Sequence, residues 1–126
     1  SWSLLPLYQS EMIAGDGVES DLAFVRKLLQ SSFAAYEKYS AMVSETVTGW
    51  EKDRLFSTDV VLIVMGLAEA SSFPTIPVKV TINEYVEISK FYGTPKSRSF
   101  VNGLLDRLIQ KLTTEGQIVK EGKGLM

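Results

Sequence analysis

The stretch Lys90–Leu108, KFYGTPKSRSFVNGLLDRL, decides the fold. Gly93 tolerates the left-handed conformation that often ends a helix, Thr94 carries a hydroxyl able to cap the next one, and Pro95 suits a first helical position. Beyond it Phe100, Val101, Leu104, Leu105, Leu108 and Leu112 recur at helical spacing, so the stretch predicts a helix, a tight corner and a second helix. Lys96 and Arg98 fall in the first turn of that second helix, where the helix dipole disfavours cations. First-turn N–H groups can accept a phosphate there, and Tyr92 and Phe100 offer rings nearby. Charge for phosphates and rings for bases is the chemistry that single-stranded RNA requires. The residues fit equally well a core Phe100 with solubilising lysines.

Working upstream, Pro77 suits a helix start, and Ile82, Tyr85 and Val86 keep helical spacing, although Val78, Val80 and Ile82 alternate like a strand. The reading is a helix from about Pro77 to Tyr92, closed by Gly93. Before it, Val60–Ala68 is apolar on every side and compatible with a buried helix or a buried strand. A lone strand in a helical chain would leave its backbone groups without partners, so a central helix is expected, starting at Thr58 and Asp59 and stopping before Pro74. Farther upstream a long helix capped by Ser20 and ended by Gly49 follows from Leu22, Val25, Leu29, Ser32, Tyr36, Tyr39, Val43, Thr46 and Trp50. The expected organisation is an arm and loop over 1–18, an all-α helical domain over 19–115 and a flexible tail over 116–126.

The chain has 126 residues and no apolar run long enough to cross a membrane. Cysteine and histidine are both absent, which removes disulfides, thiolate chemistry, the commonest metal ligand and any Ser-His-Asp or Cys-His catalyst. No phosphate-binding Gly-rich loop is present, and Glu84 with Glu87 reads as a solvated helix face rather than an acid–base pair. Neither catalysis, a metal nor a cofactor is expected. Charge is divided unevenly: residues 1–75 carry a net −5 and residues 76–126 a net +3, which hints at a nucleic-acid or acidic partner for the second half. Gly103 lies mid-helix, at a cost of about 1 kcal/mol against Ala, and is read as a point of close helix approach.

The segment Val78–Leu108 resembles the NusB transcription antitermination family. The resemblance rests on Pro77, Ile82-Asn83-Glu84, Val86-Glu87-Ile88-Ser89-Lys90, Tyr92-Gly93, Lys96-Ser97 and Phe100-Val101-Asn102-Gly103-Leu104-Leu105-Asp106, two motifs in the family's order and spacing. It implies an all-α NusB-like bundle and RNA binding at a boxA-like element, together with the ribosomal protein NusE and the transcription elongation complex, in the cytoplasm and without a membrane or a cofactor. A homodimer is a further possibility. By position the RNA-facing residues would be Lys79, Tyr92, Lys96, Ser97, Arg98 and Phe100, and the partner-facing surface would lie around Asp59. Two departures are visible: the family's Arg-rich N-terminal helix has no counterpart, the first basic residue being Arg26, and Val64 stands where the central helix usually has Arg. The bundle is therefore expected to lack the family's N-terminal helices. Two other readings stay open: an RNA-binding domain of a ribosomal RNA cytosine methyltransferase, and a helical scaffold that binds protein but not RNA.

Overall fold

The structure, a computed structural model, describes residues 17–47, 57–92 and 94–126. All regular elements among them are helical: α1 (Gly17–Thr46), α2 (Ser57–Ser72), α3 (Val78–Ser89), α4 (Pro95–Thr114) and a short 3-10 turn (Gly122–Leu125). The all-α expectation holds, and the ambiguous apolar run is α2.

Helix α2 is central because it is apolar on every side. Leu62, Ile63, Val64, Leu67, Ala68 and Ala70 are all buried, and α2 packs against α1, α3 and α4. Burying a large aliphatic side chain contributes roughly 1.5–3 kcal/mol, so this run supplies much of the core's cohesion. Val64, at the position where the family usually has Arg, is packed inside it. Gly66 is the glycine that permits close approach: a Cβ there would lie 2.6 Å from Leu105 Cδ2 of α4. At Gly103, where close approach was expected, a Cβ would meet nothing within 4 Å, because that side of α4 faces outward.

Helix α1 begins before Ser20, which lies inside it rather than capping it. Its packed line matches the expected one at Ser32, Tyr39 and Val43 and departs from it in the N-terminal half and at Tyr36. Leu28, Ser32, Tyr39, Val43 and Val47 are buried, whereas Leu22, Val25, Leu29 and Tyr36 are exposed together with Phe33. In the N-terminal half Leu22, Val25 and Leu29 fit the same 3.6-residue period as Leu28, and the position of the neighbouring helices selects Leu28. Trp50 and Gly49 lie outside the described residues, as do residues 1–16 and with them the expectation about N-terminal helices.

A second, smaller cluster joins the start of α1 to the α2–α3 connection. Leu28, Phe73, Ile76 and Val80 are buried there, Phe24 stacks on Phe73 at 4.6 Å, and the Lys27 ammonium lies 4.6 Å above the Phe73 ring. The C-terminal residues complete this region and are packed rather than splayed from the bundle. α4 ends where Gly116 turns left-handed (φ 80°), and the Gln117 and Ile118 amides fold back to the Leu112 carbonyl. Ile118 is buried in the main core, Lys120 Nζ donates to the Phe73 carbonyl at 3.0 Å and the Glu121 amide donates to the Pro74 carbonyl at 3.1 Å. Gly124 sits so close to Pro74 that a Cβ would run into its carbonyl oxygen.

Candidate nucleic-acid interface

Helix α3 is shorter than expected, and the corner between α3 and α4 correspondingly longer. α3 stops at Ser89, and Lys90, Phe91 and Tyr92 form a turn in which the Lys90 and Phe91 amides donate to the Glu87 and Ile88 carbonyls. Bonding three residues back instead of four tightens the chain and moves Tyr92 off the helical line. Gly93 itself lies outside the described residues. On the far side Thr94 caps α4, its Oγ1 accepting from the Ser97 amide at 3.4 Å, with Pro95 at the first helical position.

This cap alters the anion site expected from the sequence. Pro95 has no N–H, the Ser97 amide is taken by Thr94 Oγ1 and the Arg98 amide by the Thr94 carbonyl. Of those first-turn donors only that of Lys96 is without a partner among the described residues, so side-chain charge rather than a row of backbone donors is what the corner offers an anion. The Lys96 and Arg98 residues are both exposed and lie two positions apart on the first turn.

Asp59 organises the corner from beneath. It is wholly buried (0% exposed) on the first turn of α2, where a carboxylate complements the helix dipole. Its Oδ1 accepts from the Tyr92 hydroxyl at 3.0 Å and its Oδ2 from Ser97 Oγ at 3.3 Å. Burial, reinforced by the Asp59 hydrogen bond and charge, pushes the Tyr92 phenol up to about 12. The expected partner-facing Asp59 is therefore turned inward, because a lone carboxylate beside two hydroxyls is better satisfied by them than by an interface. Ser97, expected to face RNA, is likewise buried and committed to Asp59.

The remaining predicted site residues divide. Tyr92 is 43% exposed and its hydroxyl is tethered, while Phe100 is half-buried and packs against the core. Lys79 is exposed but stands at the opposite end of α3, about 15 Å from Ser89 at ~1.5 Å per residue. It borders a separate groove with Val78, Val119, Leu125 and Met126. Tyr92, Lys96 and Arg98 all belong to the short corner between α3 and α4, while Lys79 lies at the other end of α3. Phe91, absent from the predicted set, is the most exposed aromatic among the described residues at 89%. Its signal in the sequence was its place beside Lys90 in a stretch where no helical stripe claims it. Beside the corner, Ser57, Thr58, Val61, Leu62 and Tyr92 line an apolar cleft of about 280 Å³.

Two other carboxylates are buried to different degrees. Glu69 of α2, 2% exposed, accepts from Thr81 Oγ1 at 2.6 Å and from the Tyr85 hydroxyl at 3.4 Å, tying α2 to α3. Glu84 has one buried oxygen without a hydrogen-bond partner, and burial raises its carboxyl above the usual range, Glu87 one turn on adding to the rise. Among the described residues no group of carboxylates is arranged to hold a metal ion, and no helix is long and apolar enough to cross a membrane.

Among the described residues a strandless bundle of four helices built on a central apolar helix, with a cationic corner carrying exposed rings, defines the class of protein. The chain belongs to the NusB family, whose sequence pattern matches residues 7–110. It is similar to proteins named transcription antitermination protein NusB from three bacteria. With that of Salinibacter ruber it is 30% identical, covering 95% of this chain and 84% of the relative. With that of Chloroherpeton thalassium it is 33% identical, covering 82% of this chain and 49% of the relative. With that of Syntrophotalea carbinolica it is 35% identical, covering 82% and 64%. The chain thus spans from about half to most of the length of these relatives. No solved structure matches it.

Proposed function

We propose that this chain acts in transcription antitermination as an RNA-binding factor of the NusB type, recognising a boxA-like element in ribosomal RNA leader transcripts. The observation that carries the reading is the α3–α4 corner. Lys96 and Arg98 project from a helix start, where they contribute nothing favourable to the dipole, beside the exposed ring of Tyr92. A negative ligand outside the helix would offset this unfavourable placement, to which Glu87, its carboxyl lowered first by the Lys90 hydrogen bond and in lesser part by Arg98, also responds. The membership of the chain in the NusB family supports the same reading.

The ribosomal protein NusE docks, on this reading, around the first turn of α2, on the exposed Ser57, Thr58 and Val61 that surround buried Asp59. The complex works in the cytoplasm with the elongating polymerase, either as a monomer or as a homodimer, and without catalysis or a cofactor. The test is a titration of fluorescent boxA RNA at several salt concentrations. Affinity should fall steeply with salt, with a slope of about −0.7 in log–log terms for each phosphate engaged. The double variant Lys96→Glu/Arg98→Glu should lose binding; unchanged binding in that variant removes the corner from the interface.

A further inference from the structure

Phe91 is an apolar ring with almost no protein around it. It is 89% exposed, so packing does not explain it, and it follows Lys90 directly in a turn rather than a helix. Its neighbour Tyr92 is held: the hydroxyl donates to buried Asp59, which also accepts from Ser97 of α4. One carboxylate thereby joins three segments, namely the first turn of α2, the turn 90–92 and the first turn of α4. With Tyr92 anchored inward and α3 ended at Ser89, the side chain between them is directed to solvent, on the same corner as Lys96 and Arg98.

We infer that Phe91 is a base-stacking residue for single-stranded RNA, presented by the Asp59–Tyr92–Ser97 clamp, with Lys96 and Arg98 taking the flanking phosphates. The inference rests on the RNA reading above and adds to it a residue and a division of labour. A ring in water has both faces free, any base can stack on it, and stacking needs no hydrogen-bond readout. Asp59 touches no RNA on this account. It is a positioning residue, acting on Phe91 through Tyr92.

The experiment measures boxA RNA affinity by fluorescence anisotropy, with thermal unfolding of each variant alongside, on the whole chain. Phe91→Ala should leave the melting temperature unchanged, because the ring contacts almost nothing, and weaken RNA binding by about 5- to 150-fold, the range for loss of one stacked base. Phe91→Trp should bind as well as the parent, and Phe91→Leu should bind as poorly as the alanine variant, since it keeps apolar bulk and loses the flat face. Asp59→Asn should weaken binding several-fold at temperatures where it is fully folded, and adding it to Phe91→Ala should weaken binding no further.

Parent-like affinity in Phe91→Ala, or in Phe91→Leu, overturns the stacking role. If Asp59→Asn lowers the melting temperature while affinity of the folded protein is unaltered, or if its effect simply adds to that of Phe91→Ala, the positioning role is overturned. Loss of binding in Lys96→Glu/Arg98→Glu alongside parent-like Phe91→Ala leaves the RNA reading standing without Phe91. No measurable RNA binding by the parent chain, or binding unchanged in the charge-reversal variant, sinks the RNA reading at this corner and Phe91 with it.

Discussion

Thr81 Oγ1 donates a 2.6 Å hydrogen bond to Glu69 Oε2 in the core, both residues being almost inaccessible to water. A buried carboxylate is tolerated only while its oxygens are satisfied, so this bond is a condition of the α2–α3 contact rather than an ornament to it. Thr81→Val keeps the shape and removes the donor. It should destabilise the protein by about 2 kcal/mol, the cost of leaving a buried polar group short of a partner, read from the urea midpoint at constant slope. A change within about 0.5 kcal/mol would mean that the carboxylate is satisfied without Thr81.

Gly103 should be a site of easy stabilisation. It lies in the interior of α4, exposed, with nothing within 4 Å of where a Cβ would stand, beside a cavity of about 170 Å³ lined by Val47, Phe100 and Leu104. Gly103→Ala removes the entropic penalty of glycine in a helix and should stabilise by about 0.5–1 kcal/mol. Differential scanning calorimetry gives the answer directly; a destabilised variant would restore the close-approach explanation of this glycine.

Gly124→Ala should do the reverse. The added methyl meets the Pro74 carbonyl, which is backbone and has little room to yield, and the 3-10 turn must lift away. Hydrogen exchange should then quicken at the Glu121 amide, which donates to that same carbonyl, and stability should drop by about 1–3 kcal/mol. Unchanged exchange at Glu121 would show that the C-terminal turn is not held by this contact.

Alkaline conditions should loosen the corner in a defined window. The Tyr92 phenol, pushed up to about 12 mainly by burial and secondarily by Asp59, keeps its proton in the folded state when an unfolded tyrosine near 10 has given it up. Its contribution to stability is therefore complete below about pH 10 and is lost as pH rises towards 12. Tyr92→Phe removes this dependence, so the stability difference between parent and variant should shrink steadily over that interval. A difference that stays constant with pH would separate the phenol from the linkage.

Lys79 and the corner should behave differently towards RNA. Lys79→Glu, about 15 Å along α3 from Ser89 at ~1.5 Å per residue, should weaken boxA binding less than Lys96→Glu in the same titration. Equal losses would mean that the RNA tracks the length of α3.

Much of this bundle is legible in the sequence because its signals are local. Thr94, Pro95 and the Phe100–Leu112 stripe define α4 through capping chemistry and a 3.6-residue period, both of which operate within a few residues of themselves. The run Val60–Ala68 announces a buried element, and the absence of Cys and His restricts the chemistry without reference to any fold. Family membership was likewise readable, since its motifs lie in contiguous sequence.

Contacts between distant positions were decided only by the tertiary structure. Asp59 reads as an exposed helix-start carboxylate until Tyr92 and Ser97, 33 and 38 positions away, close over it. The C-terminal residues read as a tail until Lys120 reaches Phe73 across 47 positions. Which apolar residues in the N-terminal half of α1 enter the core, and whether Gly66 or Gly103 is the glycine of close approach, depend on where neighbouring helices lie. A residue's periodicity states which faces of a helix are apolar, but burial is a property of pairs of surfaces, and the second surface comes from elsewhere in the chain.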